Sequence, residues 1–565
     1  MAVTSSRIPS THSLPTNRKA LIPVATLALS LLASPLVHAD DSAHYGGTLN
    51  LQAQASAGTI DPMVNYEAEY WQLYASVYDG LVAFNKAAGT AGDKIVPDLA
   101  TSMPQVSDNG KTYTFTLRKG IEFSNGQPVT LKDVVASFQR IFKVLSPTSG
   151  TFYNNIVGAS QCLSTPSSCT LKGGITTDTA KNTVTFHLVH ADPDFLYKLA
   201  VPHASILPAN TPDHDVGNTP VAGTGSYTFK SYDPNSGLIL VRNPHFKQWS
   251  AEAQPKGYVD EINYSFGNTQ EASVNAIMNG QADWMYGNPP VDRLSELSTN
   301  APSQLHLNVL NETYYLGMNN HQAPFNNLKV RQALNYAVDR NALVAIGGGS
   351  VLASPTCQIL PPGMPGYKPF CQYTTNPGEK WSAPDMKKAQ ALVDESGTKG
   401  QKITIVSNEN QENVGIATYI QSVLNNLGYN ASVQTLSNAI QFTYIQNTSN
   451  HVQLSVTDWL SDYPEPSDFL NVLFNCASYR KNSDSSINIS GFCHPSIDKQ
   501  MQTAMNTSDQ KSAGEQWSKI DRSIMEQAPI VPLFNPKQVD LVSKRLGNYT
   551  SSGMYQMLLS KVWVQ

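Results

Sequence analysis

The chain has 565 residues, which is more than one hydrophobic core can organise, so two or three lobes are expected. Charged residues make up 14 % of the sequence, the formal net charge is −5 and no basic block occurs, which argues against nucleic acid as a partner.

The N-terminal segment has the pattern of a secretory signal peptide covering residues 1–39. Basic residues precede an apolar stretch over 20–32 that is too short to span a bilayer, and small residues occupy the cleavage positions before Asp40. We expect cleavage after Ala39. A lipoprotein signal would need a cysteine at the cut, but the first cysteine is Cys162. The mature chain is therefore expected to be soluble, exported and periplasmic.

The beginning of the mature chain alternates strand and helix patterns. Residues 48–54 read as a strand, and apolar or aromatic residues at helical spacing predict a helix over 70–81. Strict alternation predicts a strand over 113–118. Thr130 is placed to cap a helix that runs through Ile141.

Later elements follow a β-α-β order. Residues 330–344 carry one apolar stripe at helical spacing, with the charged residues elsewhere, and we interpret this helix as scaffold. A strand over 403–407, a helix over 416–427 and a strand over 431–436 come next. This order predicts a parallel sheet, and ligands of open α/β sheets bind beyond the carboxyl ends of the strands.

The segment V-T-D-W-L-S-D-Y-P-E-P-S-D-F-L-N, residues 456–471, follows the next strand and combines charge with aromatic surface. Its prolines, Pro464 and Pro466, take the backbone out of any sheet. Its carboxylates are Asp458, Asp462, Glu465 and Asp468, with no Lys or Arg between them. This combination suits a ligand with a positive group and an apolar body. Asp462 could instead only cap a turn or the next helix.

The six cysteines fall into pairs that are close in sequence: Cys162 with Cys169, Cys357 with Cys371, and Cys476 with Cys493. In an oxidising compartment these pairs predict three short-range disulfides. None of the spacings fits a metal site, and neither a metal nor a cofactor is predicted.

Five stretches carry a resemblance to a known family. They are L-R-K-G-I-E-F-S-N-G-Q-P-V-T-L-K-D-V-V-A-S-F-Q-R (117–140), A-G-T-G-S-Y-T-F (222–229), V-R-N-P-H-F (241–246), A-I-M-N-G-Q-A-D (276–283) and P-F-N-N-L-K-V-R-Q-A-L-N-Y-A-V-D-R (324–340). The chain resembles the bacterial extracellular solute-binding proteins, family 5, the peptide- and nickel-binding components of ABC importers. The resemblance spans nearly all of 46–536.

The resemblance implies an α/β fold of the two-lobed periplasmic binding protein type, type II, in the large cluster C form with an extra subdomain, which closes by a hinge around a ligand. The expected lobe I comprises 40–310 plus 530–565, with 65–220 as its peripheral subdomain. The expected lobe II comprises 311–529. The chain would therefore cross between the lobes twice.

The resemblance also implies ligand-binding residues. In oligopeptide-binding members, an Asp at the position that matches Asp462 pairs with the α-ammonium group of the peptide. Further ligand-facing residues implied in this way are Trp459, Leu460, Tyr66, Glu67, Ala68 and Tyr153. Family members hold a peptide carboxylate with an Arg, but neither 406–410 nor 453–457 contains one. A free carboxylate therefore lacks an obvious partner.

The predicted function is that of the periplasmic substrate-binding component of an ABC importer. It would capture a small solute, which is predicted to be a peptide, act as a monomer and deliver the solute to the permease subunits in the inner membrane. A non-peptide solute, such as a metal chelate, a sugar-derived ligand or another amine, is the alternative. A secreted hydrolase is a further one, but the chain has no G-x-S-x-G, H-E-x-x-H or Walker-type phosphate loop. No enzymatic activity is predicted.

Overall fold

The computed structural model describes residues 44–507 and 509–565. The predicted signal peptide lies outside the described residues. Within the described residues, no helix combines the length and the apolar character needed to cross a membrane.

Short strands and helices alternate along the chain. The α-helices are α1 (Ala68–Val77), α2 (Leu131–Lys143), α3 (Ala159–Ser164), α4 (Phe195–Lys198), α5 (Gln270–Met278), α6 (Leu294–Asn300), α7 (Leu328–Ala337), α8 (Arg340–Ile346), α9 (Met386–Ser396), α10 (Gln411–Asn426), α11 (Asn438–Gln446), α12 (Pro466–Phe474), α13 (Pro495–Met505) and α14 (Gln510–Glu526). The strands are β1 (Thr48–Gln52), β2 (Val82–Phe84), β3 (Ile95–Pro97), β4 (Gln105–Ser107), β5 (Thr112–Thr116), β6 (Ile175–Asp178), β7 (Thr183–His187), β8 (Tyr227–Asp233), β9 (Gly237–Arg242), β10 (Glu261–Ser265), β11 (Trp284–Met285), β12 (Leu305–Val309), β13 (Glu312–Met318), β14 (Ala353–Pro355), β15 (Lys402–Asn408), β16 (Asn430–Leu436), β17 (Leu454–Leu460), β18 (Ile530–Leu541), β19 (Leu546–Gly547), β20 (Ser551–Ser552), β21 (Gln556–Met557) and β22 (Trp563–Val564).

Three larger sheets organise these strands. The first has the order β11-β1-β10-β9-β8 and mixes parallel and antiparallel pairs. The second has the order β12-β18-β13-β17-β15-β16, with β14 beside β18. The third, β4-β5-β7-β6, is antiparallel and falls inside the predicted peripheral subdomain. The structure therefore has the mixed α/β architecture that the sequence predicts.

The long strand β18 belongs to the second sheet and leads to the first. Its first residues pair with β13, residues 537–541 pair with β12, and Val542 just after it bridges Trp284 of the first sheet. The predicted lobe boundaries stay a prediction. Along β18, Phe534 still pairs with Tyr314 of β13, whereas Lys537 pairs with Val309 of β12.

Local sequence signals explain the first helices. Thr130 begins α2 with a capping box, in which its backbone N–H donates to Asp133 Oδ2 at 2.8 Å. The apolar face of α2, including Val134 and Phe138, is buried. The helix predicted over 70–81 is α1, which ends earlier, at Val77.

The helix predicted over 330–344 is two helices, α7 and α8. The break occurs because Asp339 accepts hydrogen bonds from the N–H groups of Asn341 and Ala342 and so starts a new helix. The expectation that the charged residues lie off the buried face is wrong for Arg331 and Arg340, which are both buried. Arg340 Nε donates to the carbonyl oxygens of Thr356 and Pro532, so backbone acceptors replace water.

The predicted β-α-β unit is confirmed. Strands β15 and β16 are parallel over seven residue pairs, and α10 connects them. Strand β17 lies on the other side of β15, with β13 as its second neighbour. The segment 456–471 therefore leaves the sheet from a central strand.

The structure contains the three short-range disulfides that the sequence predicts. They join Cys162 to Cys169, Cys357 to Cys371 and Cys476 to Cys493, across sequence separations of 7, 14 and 17 residues. Each closes a local loop, so each constrains a short part of the unfolded chain.

Candidate ligand-binding site

A cavity of about 1290 Å³ lies beside the end of β17. It is lined by the last residues of β17, by the segment that leads into α1, and by parts of β13, α10 and β18. Small-molecule pockets usually measure roughly 300–1,000 Å³, so this cavity has room for a larger ligand.

Asp462 lies in the cavity wall, two residues after the end of β17. It is 9 % exposed, and its Oδ2 accepts a hydrogen bond from the hydroxyl of Tyr66. Burial raises the pKa of Asp462 to about 7, while hydrogen bonds from Tyr66 and Asp468 act in the opposite direction. No Lys, Arg or His among the described residues forms an ion pair with it. Asp462 is thus a buried carboxylate without a countercharge.

Asp468, rather than Asp462, holds the loop together. Its Oδ2 accepts hydrogen bonds from the backbone N–H of Asp462 at 2.8 Å and from Trp459 Nε1 at 3.3 Å. Burial, followed by the negative charge of Asp462, raises the pKa of Asp468 well above its usual range. The turn-capping role that could have explained Asp462 therefore belongs to Asp468.

Trp459 and Leu460, the last residues of β17, both line the cavity. Strand β13 pairs with β17 along its whole length, but β15 pairs with it only at Leu454 and Ser455. Residues 457–460 therefore have a neighbouring strand on one side only. A partly open strand edge of this kind can accept the main chain of an extended ligand.

Tyr66, Glu67 and Ala68 reach the cavity from the opposite side. Tyr66 precedes α1 and packs edge-on against Trp459, with ring centroids 5.7 Å apart. Glu67 occupies the N-cap position of α1 without a side-chain capping hydrogen bond, and burial together with the nearby charge of Asp458 raises its pKa to about 8. The structure thus brings these three residues together with Asp462, Trp459 and Leu460 around one cavity.

Tyr153 is the exception among the predicted site residues. It does not line the cavity, and its side chain is fully buried. Its hydroxyl donates to the carbonyl oxygen of Lys198 at 2.8 Å, and its ring packs against Phe138 and Phe152. The structure therefore does not bring Tyr153 to the cavity, because core packing already occupies both ends of its side chain, and its contact with the ligand stays a prediction.

The cavity is strongly acidic. Its lining carboxylates are Glu67, Glu69, Glu271, Asp292, Glu312, Glu409, Glu412, Asp458 and Asp462. Among the lining residues that the structure describes, Lys537 is the one basic side chain. A cavity with this charge balance attracts cations.

Sequence reasoning missed several of these residues. Glu312 and Glu412 lie in β13 and α10, far from the segment 456–471, and only the strand register brings Glu312 near it. Lys537 of β18, which also lines the cavity, was missed for the same reason. No group of three His, Cys, Asp or Glu side chains in the described chain is arranged to hold a metal ion.

Comparisons with known proteins agree with this architecture. The periplasmic oligopeptide-binding protein OppA of Salmonella typhimurium is 27 % identical over 457 residues, which cover 78 % of this chain and 79 % of that protein. The dipeptide-binding protein of Escherichia coli is 28 % identical over 558 residues, which cover 93 % of each chain.

The fold is similar to that of solved structures in the same group. The structure of the Escherichia coli murein tripeptide binding protein MppA matches with a TM-score of 0.78 at 24 % identity, over 92 % of this chain and 98 % of that one. Residues 94–481 match the family model for the bacterial extracellular solute-binding proteins, family 5 Middle. The chain therefore belongs to the bacterial extracellular solute-binding proteins of family 5.

Proposed function

We propose that this protein is the periplasmic substrate-binding component of an ABC importer and that its solute is a peptide. The protein would be exported with a signal peptide cleaved after Ala39, capture the peptide between two lobes, and deliver it as a monomer to permease subunits. Members of the family are solute-binding proteins rather than enzymes. The relatives of this chain include oligopeptide-binding, dipeptide-binding and murein peptide-binding proteins, which supports a peptide over a metal chelate or a sugar-derived ligand.

The observation that carries this proposal is that Asp462 is buried and forms no ion pair with any described residue. A buried carboxylate without a countercharge is costly, whereas a charge-assisted hydrogen bond from an ammonium group offsets that cost. The α-ammonium group of a peptide has the required charge. The Tyr66 hydroxyl already occupies Oδ2, so the ammonium would bind the remaining lone pairs of the carboxylate.

The open edge of β17 supports a peptide in particular. A peptide laid along residues 457–460 could form main-chain hydrogen bonds like those of an added strand, which hold many sequences equally well. Trp459 and Leu460 would flank its backbone, and Tyr66, Glu67 and Ala68 would cover it from the other side. Lys537 would be available for a carboxylate.

Three hydrogen bonds support the closure of two lobes that have the predicted boundaries. They join residues of the predicted peripheral subdomain to residues of predicted lobe II: Tyr66 to Asp462, Ser467 to Asp194 at 2.6 Å, and Arg480 to Ser149 at 3.1 Å. A hinge motion that admits a ligand would break all three, and closure would form them again.

The proposal is tested by identifying the natural solute. The protein is purified from the periplasm of the cells that naturally produce it and is then denatured. The small molecules that are released are identified by mass spectrometry. Peptides with free amino termini are expected, and their rebinding should make the protein more compact in solution scattering. A released non-peptide solute, or turnover of peptides that is abolished by one point substitution, would contradict the proposal.

A further inference from the structure

We propose that the cavity contains a second cation site, formed by Glu312, Asp458, Glu412 and Glu67, which selects peptides that carry a lysine or arginine side chain near the amino terminus. This inference rests on the proposed function and refines it. It assigns a role to carboxylates that the α-ammonium group at Asp462 leaves unused.

The strand register places the first two carboxylates on one face. Glu312 is opposite Leu460, and Asp458 is opposite Tyr314, so Glu312 and Asp458 are diagonal neighbours of the β13–β17 pair. Side chains two residues apart along a strand share a face, and both carboxylates line the cavity. Glu312 is 8 % exposed, so it is largely removed from water.

The other two carboxylates come from different elements. Glu412 lies in the first turn of α10, and Glu67 stands at the start of α1. Each is close enough for the charge of Asp458 to raise its pKa further, after the larger effect of burial, to about 7 for Glu412 and about 8 for Glu67. The pKa of Asp458 is raised to about 6 by burial. The four groups therefore form one electrostatic cluster.

No basic side chain in the described part of the chain neutralises this cluster, and the compensation within it is a hydrogen bond between Glu312 and Asp458. None of its four carboxylates forms an ion pair there, and the ion pairs of the neighbouring acidic groups, such as Arg293 with Glu271, lie outside it. Like charges this close destabilise the empty protein, and a bound cation would relieve the repulsion.

Two buried amides give an independent indication of a ligand. Asn413 is 4 % exposed and Gln556 is 6 % exposed, and both line the cavity. The buried Oδ1 of Asn413 and Oε1 of Gln556 accept no hydrogen bond from any described residue. Buried acceptors are normally paired, and these two lack donors. An ammonium group offers three donors and a guanidinium group offers five.

The second site is separate from Asp462 along the strand. Asp458 and Asp462 are four residues apart, which corresponds to at most about 13 Å of extended chain. A peptide held by its α-ammonium group at Asp462 and extended along β17 advances about 3.3 Å per residue. A basic side chain within its first four residues can therefore reach the cluster. Tyr314 also lines the cavity, and one face of its ring stacks on Phe534 with the centroids 4.8 Å apart.

Calorimetric titration with matched tetrapeptides tests the inference. Alanine peptides carry either lysine or norleucine at position 2, 3 or 4, so that each pair differs in charge but little in size. At one position at least, the lysine peptide is expected to bind about 30-fold more tightly than its norleucine partner. In Glu312→Gln and in Asp458→Asn, this ratio should fall below about 3. Glu379→Gln, an exposed residue outside the cavity, serves as the control and should keep the ratio of the unaltered protein.

The outcomes separate this inference from the proposed function. If lysine and norleucine peptides bind equally at every position, the second cation site is wrong but peptide binding stands. If no peptide binds, the proposed function fails, and arginine amide and cadaverine are then titrated as cationic probes. Binding of a probe that is lost in Glu312→Gln would retain the cation site without a peptide, whereas no binding of either probe would overturn both.

Discussion

The hydroxyl of Tyr66 donates a hydrogen bond to Oδ2 of Asp462, although the two residues are 396 positions apart in the sequence. The bond joins the entrance of α1 to the end of β17 across the cavity. It fixes the orientation of a carboxylate that has no countercharge among the described residues, and it makes that carboxylate a preorganised acceptor for a cation.

The first prediction concerns Asp462. The substitution Asp462→Asn keeps the shape of the side chain but removes its charge, so peptide affinity should fall by about 2–4 kcal/mol, or roughly 30- to 1,000-fold. Calorimetric titration measures the change, and thermal melting confirms that the variant is folded. Equal affinities for the variant and the unaltered protein would make Asp462 part of the scaffold.

Glu465→Gln is the matched control for that substitution. Glu465 is half-buried, and burial followed by the charge of Asp194 raises its pKa to about 7. Glu465 does not line the cavity, so the affinity of Glu465→Gln should change by less than about 1 kcal/mol.

The second prediction concerns Tyr66. In Tyr66→Phe, Asp462 loses a hydrogen bond that lowers its pKa, so that pKa should rise further and affinity near pH 7 should fall by about 3- to 10-fold. The loss should be smaller at pH 9, where Asp462 is ionised in both proteins. Tyr444→Phe, whose hydroxyl lies outside the cavity, is the control. A loss that is the same at both pH values would indicate packing rather than charge.

Much of the fold and part of the site could be predicted from the sequence. The parallel unit β15-α10-β16 and the disulfides depend on local spacing, and local spacing is what a sequence displays. Asp462 and Trp459 belong to one contiguous segment. Glu312 could not be predicted as a neighbour of Asp458, because their contact depends on the register between strands that are more than 130 residues apart. The burial of Arg340 depends in the same way on a carbonyl oxygen of β18.

The third prediction is a pH dependence of binding. The pKa values are raised to about 6 for Asp458, about 7 for Asp462 and Glu412, and about 8 for Glu67. A cationic peptide binds the ionised carboxylates, so its affinity should increase from pH 5 to pH 8, and binding near pH 7 should release protons to the buffer. Titrations in buffers of different ionisation enthalpy detect this release. Affinity that is constant from pH 5 to pH 8 would contradict the prediction.

The fourth prediction concerns the stability of the empty protein. This stability should decrease as the pH rises, whereas the affinity for a cationic peptide should increase. These carboxyl groups have higher pKa values when folded than the ordinary values of about 3.9 to 4.3, so the folded state binds more protons between about pH 4 and pH 8. Their contribution to stability is complete below the ordinary values and is lost as the pH rises through 6 to 8. Chemical denaturation at pH 5 and pH 8 measures it. In Glu312→Gln, the difference between the free energies of unfolding at pH 5 and at pH 8 should be smaller than in the unaltered protein.

The fifth prediction concerns the disulfides. Loop closure across 7, 14 and 17 residues implies that each bond contributes about 2–3 kcal/mol to the free energy of unfolding. Replacing both cysteines of one pair by serine should therefore lower that free energy by this amount, as measured by urea denaturation. A loss below about 1 kcal/mol for every pair would show that the loops are already constrained without the bonds.

The central claim is that a peptide binds through its α-ammonium group at Asp462, and one pair of ligands tests it most directly. Calorimetric titration compares a tetrapeptide that has a free amino terminus with the same peptide acetylated there. The free peptide should bind, and acetylation should weaken binding at least about 30-fold, with a much smaller effect of acetylation in Asp462→Asn. Equal binding of the two peptides, or no binding of either, would contradict the claim.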